Sequence, residues 1–320
     1  MGDTPKICIV MLNYNGLGYL KRTIEPILNL HYDNFEFIVV DNGSTDGSLE
    51  FIKGVEKVKL IQSPRIREKN FACNYGINQA TGEYILLLDN DALIINCDIL
   101  NELVSRYKPM TGVIGLSFYD EGSSYSKSYG SYLGYYFIKE NKNISIASLN
   151  EYDNCEIGYP EGKGLFISKA KWIEVGGYDD HLIFGGDDND LGIKLWLMGY
   201  KNYLYSKSVQ IHLGQQERRD NKKYSLKWME MSYAHMYVVF KNYKIINLLI
   251  TLVGITIFNF LKSLKQSCVR FHSGPFIAFF KGYYLFLKNL SITVQKRKYF
   301  QSRRVIDKDI FLKIKPPKVK

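Results

Sequence analysis

The chain has 320 residues, 46% of them hydrophobic and 14% aromatic, which allows a sizeable core or two domains and excludes a disordered protein. Its five cysteines, Cys8, Cys73, Cys97, Cys155 and Cys268, are scattered without metal-ligand or redox spacing and read as a reduced, cytosolic chain. The formal charge of +10 gathers at the end, where ten Lys and Arg from Ser291 onward face only Asp307 and Asp309; such a tail suits an anionic membrane surface or nucleic acid, or is merely solvated.

The opening MGDTPKICIV enters a strand-like run almost at once, so no cleaved secretory signal is expected. Periodicity then predicts a strand over 7–12, a helix over 17–30, a strand over 35–40, a helix over 48–55 and a strand over 58–62. A helix over 70–80, stopped by Gly82, and a buried strand over 84–88 follow. Strand–helix alternation of this kind implies a mostly parallel sheet covered on both faces, whose ligands bind at the carboxyl ends of the strands. Polar clusters stand at those ends: NYNG at 13–16, DNGSTDG at 41–47 and DND at 89–91. From about 117 to 159 the sequence turns to Tyr, Ser, Gly and Asn with weak periodicity, as in loops and short antiparallel strands. Helical patterns return at 169–175 and 190–198.

DNGSTDG lacks the spacing of a dinucleotide fingerprint, and no GK[ST] follows to make a P-loop. Its residues suit a turn and a helix cap, yet Asp41 after a buried strand can also accept hydrogen bonds from a base N–H or a ribose hydroxyl. In YILLLDNDALI an apolar run breaks off in Asp89, Asn90 and Asp91. If the strand stays extended through the triplet, Asp89 and Asp91 share a face and Asn90 points away, and two adjacent anions call for a cation. In FGGDDNDLGIKLWLMGY, Asp187, Asp188 and Asp190 open a helix. Helix N-termini favour acids, but three in four residues exceed what capping needs and suggest a general base. His212, after the strand-like VQI, is either structural or completes the cation site begun by Asp89 and Asp91.

The ordered set MLNYNG, VVDNGSTDGS, Asn74-Tyr75-Gly76, LLLDNDA, GGYDD, GGDDNDL and His212 resembles the family 2 glycosyltransferases of GT-A fold, with the rhamnosyltransferase-like branch closest. The likeness covers about residues 5 to 215. It implies a Rossmann-like, mostly parallel α/β sheet and a donor site formed by Asn13, Tyr14, Asn15, Asp41, Asn42, Asn74 and Asp89. It further implies a Mg²⁺ or Mn²⁺ site at Asp89, Asp91 and His212, with Asp188, or its neighbour Asp187 where many relatives have Glu, as catalytic base. The implied reaction is inverting transfer of a hexosyl group from a UDP-, dTDP- or GDP-sugar to a lipid-linked or surface-glycan acceptor, as in polysaccharide biosynthesis. The stretch 215–219 only half matches the Q-x-x-R-W motif of processive synthases, which implies one transfer per acceptor. A nucleotidyltransferase on a similar sheet, releasing pyrophosphate, and a non-catalytic sugar-nucleotide-binding membrane module are the rival readings.

The catalytic domain is expected over 1–224, with a nucleotide-binding half at 1–92 and an acceptor half at 93–224. A helical, membrane-associating region with a basic tail is expected over 225–320. The segment 245–261 is nearly all apolar but short for a span, and 275–290 is interrupted by Lys281. The expected placement is therefore interfacial, at the cytoplasmic face of an anionic membrane, with no nucleic acid partner; a short two-span hairpin and a helical subdomain packed on the catalytic core are the alternatives. If the catalytic domain is independent, donor hydrolysis should survive removal of everything after Tyr243.

Overall fold

A computed structural model describes residues 4–126, 128, 130–133, 143–182, 185–214 and 220–317. Strands and helices alternate through β1 (Ile7–Asn13), α1 (Leu17–Leu28), β2 (Phe35–Asp41), α2 (Ser48–Lys53), β3 (Val58–Gln62), α3 (Lys69–Gln79) and β4 (Tyr84–Asp89). Next come β5 (Ala92–Leu93), α4 (Ile99–Arg106), β6 (Thr111–Asp120), the short pair β7 (Tyr125–Ser126) and β8 (Ile144–Ser145), β9 (Gly164–Ser168), α5 (Lys169–Glu174), α6 (Asp187–Leu197) and β10 (Lys201–His212). The main sheet has the order β3-β2-β1-β4-β9-β6-β10-β5. Strands β1 to β4 pair in parallel, β9 runs antiparallel between β4 and β6, and β10 is again parallel to β6.

Apolar side chains on both faces of β1, β2 and β4 are buried in two separate clusters, one on each side of the sheet, as a parallel sheet under two helical layers requires. Register then decides where the polar ends meet. Asn13 pairs with Asp41, Leu12 with Asp89, and His212 with Asp120.

One local expectation fails. The chain does not stay extended through the acidic triplet: β4 ends at Asp89, and Asn90 and Asp91 form a turn. The Asn90 side chain donates to Asn13 Oδ1 at 2.8 Å, and its carbonyl accepts from Thr23 Oγ1 at 3.1 Å. These two bonds pull the backbone across the end of β1, so the strict alternation of faces stops there.

Four helices follow: α7 (Asn221–Asn242), α8 (Ile245–Val269), α9 (Gly274–Lys288) and α10 (Leu290–Arg303). They do not form a detached unit. Tyr233, Tyr237, Val238 and Val239 of α7 share one buried cluster with Ile193, Trp196 and Leu197 of α6. Beneath it lies a buried charge network in which Lys241 Nζ donates to Asp179 Oδ2 at 2.6 Å and to Asp190 Oδ2 at 2.8 Å, while Lys194 Nζ lies 3.2 Å from Asp190. Lys296 of α10 pairs with Asp179 from the other side. The basic tail is accordingly not all free for an outside partner: Arg297 donates to the carbonyls of Phe240 and Tyr243, and Arg304 pairs with Asp309 at 2.9 Å.

Candidate active site

At the carboxyl ends of β1 and β2, Asp41 is buried and holds the loops together. Its Oδ1 accepts from Asn13 Nδ2 at 3.1 Å, and its Oδ2 from the amides of Gly43 and Ser44 at 3.0 Å each. Asn15 joins the same loops, accepting from the Thr45 amide at 2.8 Å. Beside them Tyr14 is exposed, with the Arg67 guanidinium 5.5 Å from its ring centre. The Asn42 side-chain oxygen is buried without a hydrogen-bond partner among the described residues. These loops make a polar crevice with one open aromatic face.

Asn74, on α3, meets the GGYDD turn. Its amide donates to the Tyr178 carbonyl at 2.8 Å and to Asp180 Oδ1 at 2.9 Å, and accepts from the Tyr178 amide at 3.0 Å. Both ends tie α3 to the GGYDD turn. Asn74 thus positions that turn, while its Oδ1 keeps a second acceptor lone pair and the residue lines a cavity with Phe71, Tyr75 and Trp172.

The acidic end of β4 meets α6 across Lys69, the first residue of α3. Lys69 Nζ lies 3.7 Å from Asp89 and 3.7 Å from Asp187. Burial raises the Asp89 carboxyl above its usual range and Asp91 and Asp187 add to this, while Lys69 opposes it. Asp188 stands in the same field. Burial and the neighbouring Asp187 push its carboxyl up to about 8, against the pull of Lys69 and of the Tyr178 hydroxyl, which donates to Asp188 Oδ1 at 2.8 Å. A carboxyl held near neutrality and fixed by one hydrogen bond has the properties of a general base. The third carboxylate of that helix, Asp190, takes no part: it is buried against Lys194, Lys241 and Asn242.

Asp91 and His212 form the outer half of the acidic site. His212 Nε2 lies 3.2 Å from Asp91 Oδ2, and Nδ1 lies 2.7 Å from Asp120 Oδ1. An Nδ1–H donated to Asp120 leaves Nε2 facing inward, the usual support for a ligating histidine. Asp91 Oδ1 is buried with no hydrogen-bond partner among the described residues. Gly214 packs close by: a Cβ there would come within 2.3 Å of Asp91 Oδ2 and displace that side chain. The Asp91 carboxylate, with its unpartnered oxygen, and the His212 imidazole are an oxygen and nitrogen donor pair of the kind a divalent cation takes, whereas Asp89 faces Lys69 and does not gather with them into a three-residue cluster within 4.8 Å among the described residues.

A cavity of about 270 Å³ is lined by both Asp89 and Asp188, together with Ser131, Tyr159, Glu161, Gly162 and Lys163. Lys69, Tyr178 and Lys163 were not foreseen from the sequence. Tyr178 stands inside GGYDD and Lys163 between two glycines, EGKG, where a signal was available; Lys69 sits in an ordinary charged run and gave none. The stretch 215–219 lies outside the described residues.

Because Lys69 supplies the positive charge between Asp89 and Asp187, Lys69→Met should make the empty site more anionic. Binding of Mn²⁺ alone, followed by calorimetry, is expected to tighten by at least about threefold, the direction Coulomb's law gives for losing a nearby like charge, while the melting temperature without cation falls. Unchanged Mn²⁺ affinity would remove Lys69 from the cation field.

A mostly parallel sheet with polar loops at the ends of β1 and β2 and a D-x-D turn at β4 has the architecture of the GT-A fold. Residues 8–158, just under half of the chain, match the family described as Glycosyl transferase family 2. It is 38% identical over 116 residues to an uncharacterized glycosyltransferase of Haemophilus influenzae, a match covering 34% of this chain and 46% of that relative. The chain thus spans less than half the length of this curated relative. Among solved structures, residues 1–349 of TarS from S. aureus align with a TM-score of 0.58 at 14% identity over 96% of this chain and 90% of that one. The Pyrobaculum calidifontis mannosyltransferase PcManGT, in complex with GDP-Man and Mn²⁺, aligns with a TM-score of 0.54 at 15% identity over 93% of this chain and 88% of that one. At such identities the likeness establishes the fold alone. Asp187, Asp188 and His212 lie beyond the matched segment, so their roles rest on the geometry above.

Proposed function

We propose that the protein is an inverting, cation-dependent glycosyltransferase that moves one sugar from a nucleoside diphosphate sugar to a hydroxyl of a lipid-linked or surface-glycan acceptor, at the cytoplasmic face of a membrane. The observation that carries this reading is the single cavity lined by Asp89 and Asp188, which sets a diphosphate-side carboxylate and a poised base around one small volume. The nucleoside is held in the crevice of Asn13, Asn15, Asp41 and Asn42, with Tyr14 offering its open face to the base. Asp89, Asp91 and His212 would hold Mg²⁺ or Mn²⁺, which supplies Lewis-acid neutralisation of the charge on the departing diphosphate.

Asp188 takes the proton from the acceptor hydroxyl as that oxygen forms its bond to the anomeric carbon. The bond from the anomeric carbon to the phosphate oxygen breaks, and its electron pair leaves with the nucleoside diphosphate. Attack opposite the leaving group inverts the anomeric centre and needs no covalent enzyme intermediate. Tyr178 fixes the Asp188 carboxylate, and Lys69 keeps Asp89 and Asp187 from repelling it out of place.

The cation assignment is tested by Asp91→Ala. Asp89 and His212 alone cannot hold the cation that balances a diphosphate, so calorimetry across a panel of sugar nucleotides should show Mn²⁺-dependent binding in the parent protein and none in the variant. Equal affinity with and without Mn²⁺ in both proteins would exclude the metal site.

A further inference from the structure

Helix α8 reverses the pattern of a water-facing surface helix. Its buried side carries Leu248, Thr251, Ile255, Asn259 and Ser263, so the small polar side chains point inward. Its outward side carries Ile246, Leu249, Val253, Ile257 and Leu261, each 55–70% exposed. A surface helix in water places its polar residues on the solvent side. Beside it, locked by edge contacts of Phe260 with Phe276 and Phe279, α9 shows a second exposed stripe of Ile277, Phe280, Tyr284 and Leu287. Apolar faces of this extent on a folded protein mark a surface that meets something other than water.

Two observations name the occupant. Residues 231–306 contain twelve Lys and Arg and not one Asp or Glu, and Lys262, Lys265, Lys281 and Lys288 are exposed on the two helices. A second copy meeting this face symmetrically would bring bases against bases with no acid from these helices to pair them, whereas an anionic lipid surface matches both the apolar stripe and its basic margin. Helix α8 is also the one helix among the described residues long and apolar enough to cross a membrane. Yet its inner side packs on α7 and α9, and α7 is tied through Lys241 to Asp179 and Asp190. A crossing would strip that packing and strand those charges. We propose that the outward faces of α8 and α9 dock in the plane of an anionic phospholipid bilayer, entering one leaflet without spanning it.

Full-length protein is mixed with vesicles of equal parts phosphatidylglycerol and phosphatidylcholine, or of phosphatidylcholine alone, and sedimented. The parent chain should partition with the mixed vesicles, and high salt should weaken this without abolishing it. Val253→Asp with Ile257→Asp should lower the partition at least about tenfold in any salt, because apolar insertion is lost. Lys262→Gln with Lys265→Gln and Lys281→Gln should lower it only with anionic vesicles and only at low salt, by up to about fivefold per charge. All these positions are exposed, so melting temperatures should match the parent and exclude misfolding as the cause. A parent chain that stays monodisperse and unbound in the supernatant would overturn the proposal. So would a Val253→Asp, Ile257→Asp variant that binds as the parent does, or a parent dimer that this variant dissociates. Donor is absent throughout, so the outcome is independent of the glycosyl-transfer reading.

Discussion

Asp188→Asn is expected to retain donor binding and to lose turnover by about 10²-fold or more, the range for removing a general base. Asparagine keeps the size of the side chain and can still accept the Tyr178 hydroxyl, but it cannot take a proton. The pH profile gives a second readout. Burial and Asp187 push the Asp188 carboxyl up to about 8, and the base works only when ionised, so activity should rise with pH through a limb well above the usual carboxylate range. The variant's residual activity should lack that limb. The same shift has a sign for stability: a carboxyl raised in the folded state favours folding while protonated, and this contribution fades as pH climbs from its unfolded value through the raised one. Asp188→Asn should therefore melt higher than the parent under alkaline conditions, by roughly 2–5 °C, while being the less active protein. If Asp187→Asn shows the large loss of turnover and Asp188→Asn a small one, the base lies one residue earlier.

Burial periodicity made the sheet readable. The runs in β1, β2 and β4 are continuous and apolar because both their faces are covered, and their polar ends are abrupt for the same reason. Asp41 and Asp89 stood out as carboxylates at the ends of buried runs and Asp188 as one of more acids than capping needs, and the fold brings Asp89 and Asp188 to one cavity. The parts that stayed hidden depend on contacts distant in sequence. Asn90 looked like a spacer between two aspartates, but its partner Asn13 is 77 positions away and turns the strand end aside. The tie of Asn74 to Tyr178 and Asp180 was hidden because nothing local reveals partners 104 and 106 positions away. Lys69 is invisible without the fold, since only the β4–α6 approach sets it between two acids. The helical region is apolar by composition and its outward faces are apolar in the fold, but composition carries no record of the buried pairs that bind it to α6.

Those pairs lead to the second large effect. In the network, Asp179 and Asp190 face Lys194, Lys241 and Lys296. Burial alone would raise both carboxyls, but the ammonium groups, Lys241 foremost, hold each below its usual range. Depressed carboxyls give stability that is complete above their unfolded value and is lost only as pH falls through the lowered one, so this contribution should persist into acid. Charge balance ranks the substitutions. Losing Lys241 leaves two ammoniums for two carboxylates, and cutting after Leu290 removes Lys296 with the same result, adding the loss of the Arg297 and Gln301 bonds to the end of α7. Asp190→Ala is worse, because Lys194 and Lys241 are then both fully buried with one remaining carboxylate between them. Urea unfolding is expected to show a loss of about 3–5 kcal/mol for Asp190→Ala, the range for an orphaned buried charge, and smaller losses for Lys241→Met and for the cut after Leu290. Removal of everything after Tyr243 strips α8, α9 and α10 from the cluster shared with α6, so donor hydrolysis is expected to fall with the fold, contrary to what a separable catalytic domain would give. Asp190 stands two residues from Asp188 on α6, yet the two variants should part completely: Asp188→Asn folds as well as the parent and turns over slowly, whereas Asp190→Ala loses activity in step with its native fraction. An Asp190→Ala protein with unchanged urea midpoint would show that the buried charges do not hold α6 in place.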